Sequence, residues 1–272
     1  MGSLKISCAL WSLTHGATMA ELDKALETAA SVGVKAVQPW CVDEPAWNVT
    51  CLLDPDRCVG AQRVELAKHI RSFGLDISGF CAQLKGPTSL GGFGEEEGLS
   101  ERVRKTQEAL RLAADMEAPI VTTHIGPIPE DRDSEVYKRF LESAGACAKV
   151  AEQAGSSFAL ETGQETAAVL KQFIEDVGSV GLRVNFDPAN MLKHDASVSG
   201  VGVLKDYIVH THAKDRHPET GKPTVGQGAV PWQEYLAALK DIGYDGWYAL
   251  EDESGKEVVD SLTAGCRFLE QF

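Results

Sequence analysis

Residues 207–217 read YIVHTHAKDRH. The stretch begins as a β-branched, alternating run of the kind that forms a strand, then becomes a cluster of charged and imidazole side chains. Three of the chain's seven histidines, His210, His212 and His217, fall within eight residues. His210 and His212 share strand parity, so both point to one face. Lys214 and Asp215 start the following loop. Arg216 is placed either to meet a substrate hydroxyl or phosphate or to sit in solvent, and His217, before Pro218, is a loop residue.

The same pattern recurs on both sides. FALETGQE (158–165) delivers Glu161, VNFDPAN (184–190) delivers Asp187, and YALEDE (248–253) delivers Glu251. Strands are predicted over residues 4–11, 35–40, 75–81, 119–124, 157–162, 183–187, 207–212 and 247–251. Amphipathic segments lie between them. TMAELDKALETAAS opens with a capping box, Thr18 to Glu21, and puts Leu22, Ala25, Leu26 and Ala29 on one face. ERVRKTQEALRLAADM, SEVYKRFLESAGACAKVAEQAG and PWQEYLAALKDIG behave alike, and Gly33, Gly74, Gly155 and Gly243 stand at helix C-terminal positions. Eight strand–helix units averaging 34 residues predict one α/β domain over residues 1–272, a (β/α)8 TIM barrel. A doubly wound open sheet is the alternative, but its G-x-G-x-x-G turn is missing after the first strand.

In such a barrel the chemistry gathers where strands end. The fifth to eighth strands end in Glu161, Asp187, His212 and Glu251. Three carboxylates packed together repel, and a divalent cation is the simple remedy. One imidazole and three carboxylates suit Mn2+ or Mg2+, with Co2+, Fe2+ and Zn2+ admissible. The alternative at each position is a helix cap or a salt-bridge partner. His124 ends the fourth strand and either lines a pocket or caps its loop. Trp11 and Trp40 end the first and second, where an aromatic ring either lines a pocket or simply packs. His210 is read as a core histidine or as a group orienting Glu161 or His212. Cys81 is a small buried residue, Gln164 and Glu165 cap a helix, and Glu253 faces solvent. The insert CVDEPAWNVTCLLDPDRC (41–58) is expected to supply lid and specificity contacts.

Apolar residues make up 43% of the chain and charged residues 24%, the balance of a globular protein with a full core. No apolar run approaches the length of a membrane span. The N-terminus lacks the pattern of a signal peptide and reads as a first strand after a two- or three-residue expression scar. Lys plus Arg total 26 against 40 Asp plus Glu, a formal charge of −14, which counts against a nucleic acid partner. The seven cysteines are scattered without a C-x-x-C pair, so neither a disulfide framework nor a cysteine-built zinc site is expected, and a reducing cytoplasm is the simplest compartment.

LETGQE, NFDPAN, HTHAKD and the terminal ALE, in that order, resemble the xylose-isomerase-like barrel superfamily of sugar-phosphate isomerases and epimerases, and are similar to its ketose 3-epimerases. VGQGAVPW (225–232) resembles the family's glycine-containing loop before the seventh helix. The resemblance implies that Glu161, Asp187, His212 and Glu251 hold one divalent metal ion, Mn2+ first. It implies that Glu161 and Glu251 move protons through an enediolate of a ketose, keto-sugar or polyol. Asn190, Arg216, His124, Trp11, Trp40 and His210 are the expected substrate contacts. The family also allows a homo-oligomer formed through loops at the barrel face.

Three positions depart from the family pattern. Asn190 replaces a substrate-contacting histidine, Gln38 stands where a glutamate is common, and Ala167 replaces a further glutamate. An amide hydrogen-bonds a hydroxyl but supplies no acid. A keto-sugar or inosose dehydratase on the same metal site is therefore the second reading. An apurinic endonuclease would need further histidines where Cys81 and Asn190 stand, and a non-catalytic scaffold would not need Glu161 and Glu251.

Overall fold

The computed structural model describes residues 3–86, 92–255 and 257–272, so Met1 and Gly2 of the expected scar lie outside the described residues. The strands are β1 (Lys5–Ala9), β2 (Ala36–Gln38), β3 (Asp76–Ile77), β4 (Phe80–Cys81), β5 (Ile120–Thr123), β6 (Ser157–Glu161), β7 (Leu182–Phe186), β8 (Ile208–Ala213) and β9 (Trp247–Leu250). All pair in parallel, in the order β3-β2-β1-β9-β8-β7-β6-β5-β4.

Eight strands were expected and nine segments are present among the described residues, because the third is split. β3 pairs with β2 and β4 pairs with β5, and the chain crosses between them at Ser78 and Gly79. Backbone bonds bridge the gap: Cys41 N donates to Cys81 O and Cys81 N to Pro39 O, each at 2.9 Å. The result is a nearly closed barrel of eight staves.

Helices α1 (Met19–Val32), α2 (Ala61–Ser72), α3 (Leu99–Asp115), α4 (Glu135–Ala154), α5 (Ala167–Val177), α6 (Pro188–Met191), α7 (Ser199–Leu204), α8 (Trp232–Asp241) and α9 (Val258–Leu269) surround it. Thr18 caps α1 by accepting from Glu21 N at 3.3 Å. Glu21 reaches back to Ala17 N at 3.0 Å, one residue earlier than a strict capping box. Thr166 caps α5, so Gln164 and Glu165 do not. Phe140 of α4 meets Phe173 of α5 edge-on with centroids 6.3 Å apart, and both rings are fully buried. Each such ring contributes about 1.5–3 kcal/mol through burial. No described helix is long and apolar enough to cross a membrane.

The apolar core lies between sheet and helices, whereas the barrel interior carries a polar chain. Gln38 Nε2 donates to Thr122 Oγ1 at 2.8 Å, and Gln38 Oε1 lies 3.1 Å from His212 Nε2. Asn185 joins His212 at 3.2 Å to His210 Nδ1 at 2.9 Å. This chain fixes the imidazole rings before the loops begin.

Candidate metal centre

β6, β7, β8 and β9 are neighbours in the sheet, so their last side chains converge. Glu161, Asp187, His212 and Glu251 are all buried, and one ligand atom from each lies within 4.8 Å of the others. His212 Nδ1 is 3.1 Å from Glu251 Oε2, 3.4 Å from Glu161 Oε1 and 4.0 Å from Asp187 Oδ2. His212 Nδ1 and Asp187 Oδ2 make no directed hydrogen bond despite complete burial. Two buried ligand atoms without a directed hydrogen bond, set in an oxygen-rich cluster, fit a divalent cation.

Each glutamate has its own donors. Glu161 Oε1 accepts from Asn190 Nδ2 at 2.9 Å and faces His124 Nε2 at 3.2 Å. Glu251 accepts from Trp11 Nε1 at 3.1 Å and from Lys214 Nζ at 3.2 Å. Asp187 caps α6, accepting from Asn190 N at 2.9 Å through Oδ1 and leaving Oδ2 for the centre. Gly163, with φ at 115°, lets this turn close on α6: a Cβ there would lie 2.3 Å from Asn190 Cβ.

The electrostatics are those of a cluster of anions balanced by the protein's own cations. Burial alone would raise the Glu251 carboxyl, but Lys214 and His212 overcome it and hold it down at about 2. Glu161 is held well below its usual range, burial being overcome by His124 and His212. Burial lifts Asp187 to about 6, with Lys214 opposing and the two glutamates adding to the rise. Burial would lower His212, yet Glu161 and Glu251 carry it up to about 10. The imidazole proton thus occupies the place where cation charge is needed.

Above the cluster opens a cavity of 220 Å3, a size for a small metabolite. Five of the six expected substrate contacts line it: Trp11, Trp40, His124, Asn190 and Arg216. His210 does not. It is wholly buried beneath His212 and engaged with Asn185, so it supports the ring above rather than meeting a ligand. Trp40 directs its indole N–H to Val42 O at 2.7 Å and offers the cavity only its ring. The 41–58 insert does not reach the cavity. Its polar groups are tied within the insert and to α3, Asp54 accepting from Asp43 N and from Lys105 Nζ of α3, and its Trp47 packs edge-on behind Trp40.

Lys214 starts the loop directly after β8, as expected, and is buried there, within 3.5 Å of Asp187 Oδ2 and 3.0 Å of Glu253 Oε2. Glu253 is exposed, as expected, and stands at the cavity rim, where it also pairs with Lys222 at 2.6 Å. The signal for Lys214 was its parity with His210 and His212. Cys81 lines the cavity too, but burial and then Glu161 push its thiol far up, so it is no nucleophile. Glu165 accepts from Ile128 N at 3.4 Å, and burial raises it to about 7. A larger cavity of 450 Å3 lies where the strands begin, around Lys5, Tyr244 and Tyr248, and gathers no comparable set.

Among curated proteins, the chain is 26% identical over 197 residues to an uncharacterized protein of Methanocaldococcus jannaschii, covering 63% of this chain and 65% of that one. It is 31% identical over 123 residues to a D-psicose 3-epimerase of Ruminiclostridium cellulolyticum, covering 42% and 41%. The chain thus matches less than two thirds of the length of either relative. Among solved structures, a xylose isomerase domain protein from Planctomyces limnophilus superposes with a TM-score of 0.81 at 23% identity, covering 99% of this chain and 97% of that one. A structure described as "the probable 3-DHS dehydratase" of Bacillus anthracis superposes at 0.75 with 16% identity, covering 98% of each. These two establish likeness of fold. The family described as xylose isomerase-like TIM barrel matches residues 19–272, and the chain belongs to that family.

Proposed function

We propose that this protein is a divalent-metal-dependent sugar isomerase or epimerase acting on a ketose, keto-sugar or related polyol. One observation carries the reading: four successive strand ends place Glu161, Asp187, His212 and Glu251 in one buried cluster beneath a small cavity. These four residues would hold the ion, and their oxygen-rich set favours Mn2+. When bound, the ion supplies Lewis-acid polarisation of a substrate carbonyl and compensates the carboxylates.

Proton transfer belongs to the side chains. Glu161 and Glu251 are both held ionised, so either can take a proton from the carbon next to the carbonyl. They reach the cluster from different strands, flanking the His212 ring. A planar enediolate needs one such group on each face: Glu251 takes the proton on one side, and Glu161 returns one on the other after receiving it from its neighbour. His124, raised by Glu161 against its burial and 3.2 Å from it, supplies that proton and is reprotonated from solvent. Lys214, 3.2 Å from Glu251, keeps that carboxylate ionised and ready to accept. Trp11 and Trp40 present ring surface to the C–H face of the sugar.

The test is deuterium uptake from D2O by a panel of ketohexoses, keto-sugars and inososes with the Mn2+-loaded protein. Uptake beside the carbonyl without loss of water is expected. Glu161→Gln and Glu251→Gln should each reduce it by about 10²–10⁴-fold while the fold persists. Undiminished uptake in either variant would remove that residue from the proton relay.

A dehydratase is the second reading, and Asn190 favours it. Its amide holds Glu161 where a histidine acid would otherwise stand. Exchange accompanied by loss of 18 mass units, the mass of water, would select it.

A further inference from the structure

We propose that the substrate of this site carries one anionic group, a carboxylate or a phosphate, and that Arg216 binds it. The proposal rests on the reading of the cavity as a sugar-converting site and narrows its substrate class.

Three cations line the wall contributed by the end of β8 and its loop: Lys214, Arg216 and Lys222. Two are already matched. Lys214 lies between Glu251, Asp187 and Glu253, at 3.2, 3.5 and 3.0 Å. Lys222 pairs with Glu253 at 2.6 Å. The Arg216 guanidinium has no hydrogen bond or ion pair among the described residues. Its backbone is engaged on both sides: Arg216 N donates to Asp215 Oδ1 at 2.9 Å, and Arg216 O accepts from Ala229 N at 2.8 Å. The root of the side chain is therefore fixed while its head faces the cavity open-handed.

That is unusual for this chain. With 40 acidic residues available, most guanidinium groups elsewhere find partners, Arg267 on the outer helix being an exception: Arg57 pairs with Asp43, Arg63 with Asp115, Arg104 with Asp56 and Glu101. A half-buried guanidinium on the cavity wall, without a partner among the described residues, is free to receive an anionic ligand. Its planar fork fits a carboxylate or a phosphate through two parallel hydrogen bonds, which a lone hydroxyl does not offer. A neutral sugar would leave the charge unanswered. Arg216 follows the His212 position by four residues, so the anionic end of the substrate lies over the β8 loop and the reacting end lies between Glu161 and Glu251. A cavity of 220 Å3 limits the whole to a small sugar acid or sugar phosphate.

Three matched probes test this: D-fructose, D-fructose 6-phosphate and 5-keto-D-gluconate. With Mn2+-loaded protein in D2O, at least one anionic probe should exceed fructose about tenfold in kcat/KM, and which one distinguishes phosphate from carboxylate. Arg216→Gln should bring that ratio down toward one, chiefly through KM, and Arg216→Lys should restore part of it. Fructose equal to or better than both anions, or an Arg216→Gln loss equal for all three probes, overturns the proposal. A binding arm separates its failure from that of the sugar-converting reading. Quenching of tryptophan fluorescence by each probe is measured in the metal-free protein at low and high salt. If no probe exchanges deuterium, the catalytic reading fails. Salt-sensitive binding of an anionic probe, weakened about tenfold by Arg216→Gln, would then still support the anion site, and its absence would overturn it.

Discussion

Gln38 is the residue on which the orientation of His212 turns. Its Nε2 is engaged by Thr122, so the amide presents Oε1 to His212 Nε2 at 3.1 Å. An acceptor at that nitrogen keeps the proton on Nε2 and leaves Nδ1 to face the carboxylates, the arrangement a metal-binding imidazole needs. Gln38→Leu keeps the volume and removes the acceptor. Mn2+ affinity, read by calorimetry, should fall about 10–100-fold with little change in the circular dichroism spectrum. Asn185 Nδ2, a donor 3.2 Å from the same nitrogen, competes with Gln38 for the ring, and unchanged affinity would mean that Gln38 does not set its tautomer. Gln38 was visible in the sequence only as a departure from a family glutamate. Its task depends on which rungs of β2 and β8 meet across the barrel, 174 residues apart, and no local pattern records that. The four cluster residues were legible because each ends an apolar run, a signal that is local.

At the scale of elements, the loop after β8 is organised by one carboxylate. Asp215 is almost fully buried and accepts from Arg216 N, Gly226 N, Gly228 N, Val230 N and Trp232 Nε1, at 2.9–3.1 Å. Gly228 has no alternative, since a Cβ there would sit 1.9 Å from Asp215 Oδ1. Asp215→Asn exchanges one acceptor oxygen for a donor and sets it against backbone N–H groups. The expected cost is about 2–4 kcal/mol, measured by urea unfolding, because each buried donor left unmatched costs about 1–3 kcal/mol. A cost below about 1 kcal/mol would show the loop to be held by its apolar anchors instead. The glycine loop was legible as a motif, but the role of Asp215, expected with Lys214 only to start the loop, was not. Strands were legible wherever β-branched runs stood between helices. The break in the third was not, because it comes from closing the barrel, a demand of the whole sheet. The insert at 41–58 differs from expectation for a related reason: its many polar residues suited a lid, but Asp43, Asp54 and Arg57 bond to the insert's own backbone.

At the scale of the molecule, the barrel concentrates three carboxylates at one rim, and the proton on His212 and the charge of Lys214 hold them together. This makes metal binding, stability and pH a single linked system. His212 is raised from its ordinary value to about 10. In the metal-free protein its proton therefore contributes stability that is fully present below the unfolded value near 6.5 and is lost as pH rises through about 10. A metal ligand must be deprotonated, so an entering ion displaces that proton. Between pH 6.5 and 8.5 apparent Mn2+ affinity should rise by roughly tenfold per pH unit, with about one proton released per ion, read by calorimetry in buffers of differing ionisation enthalpy. Below about pH 6 the rise should steepen, because Asp187 then binds a second proton. Stability follows the same course. At 100 times its dissociation constant an ion adds about 2.7 kcal/mol, so the gap in melting temperature between Mn2+-loaded and chelator-treated protein should widen from pH 6 to pH 8.5. A gap that stays constant over that range would mean that the ion binds without displacing the His212 proton, and the imidazole would then have to be removed from the ligand set.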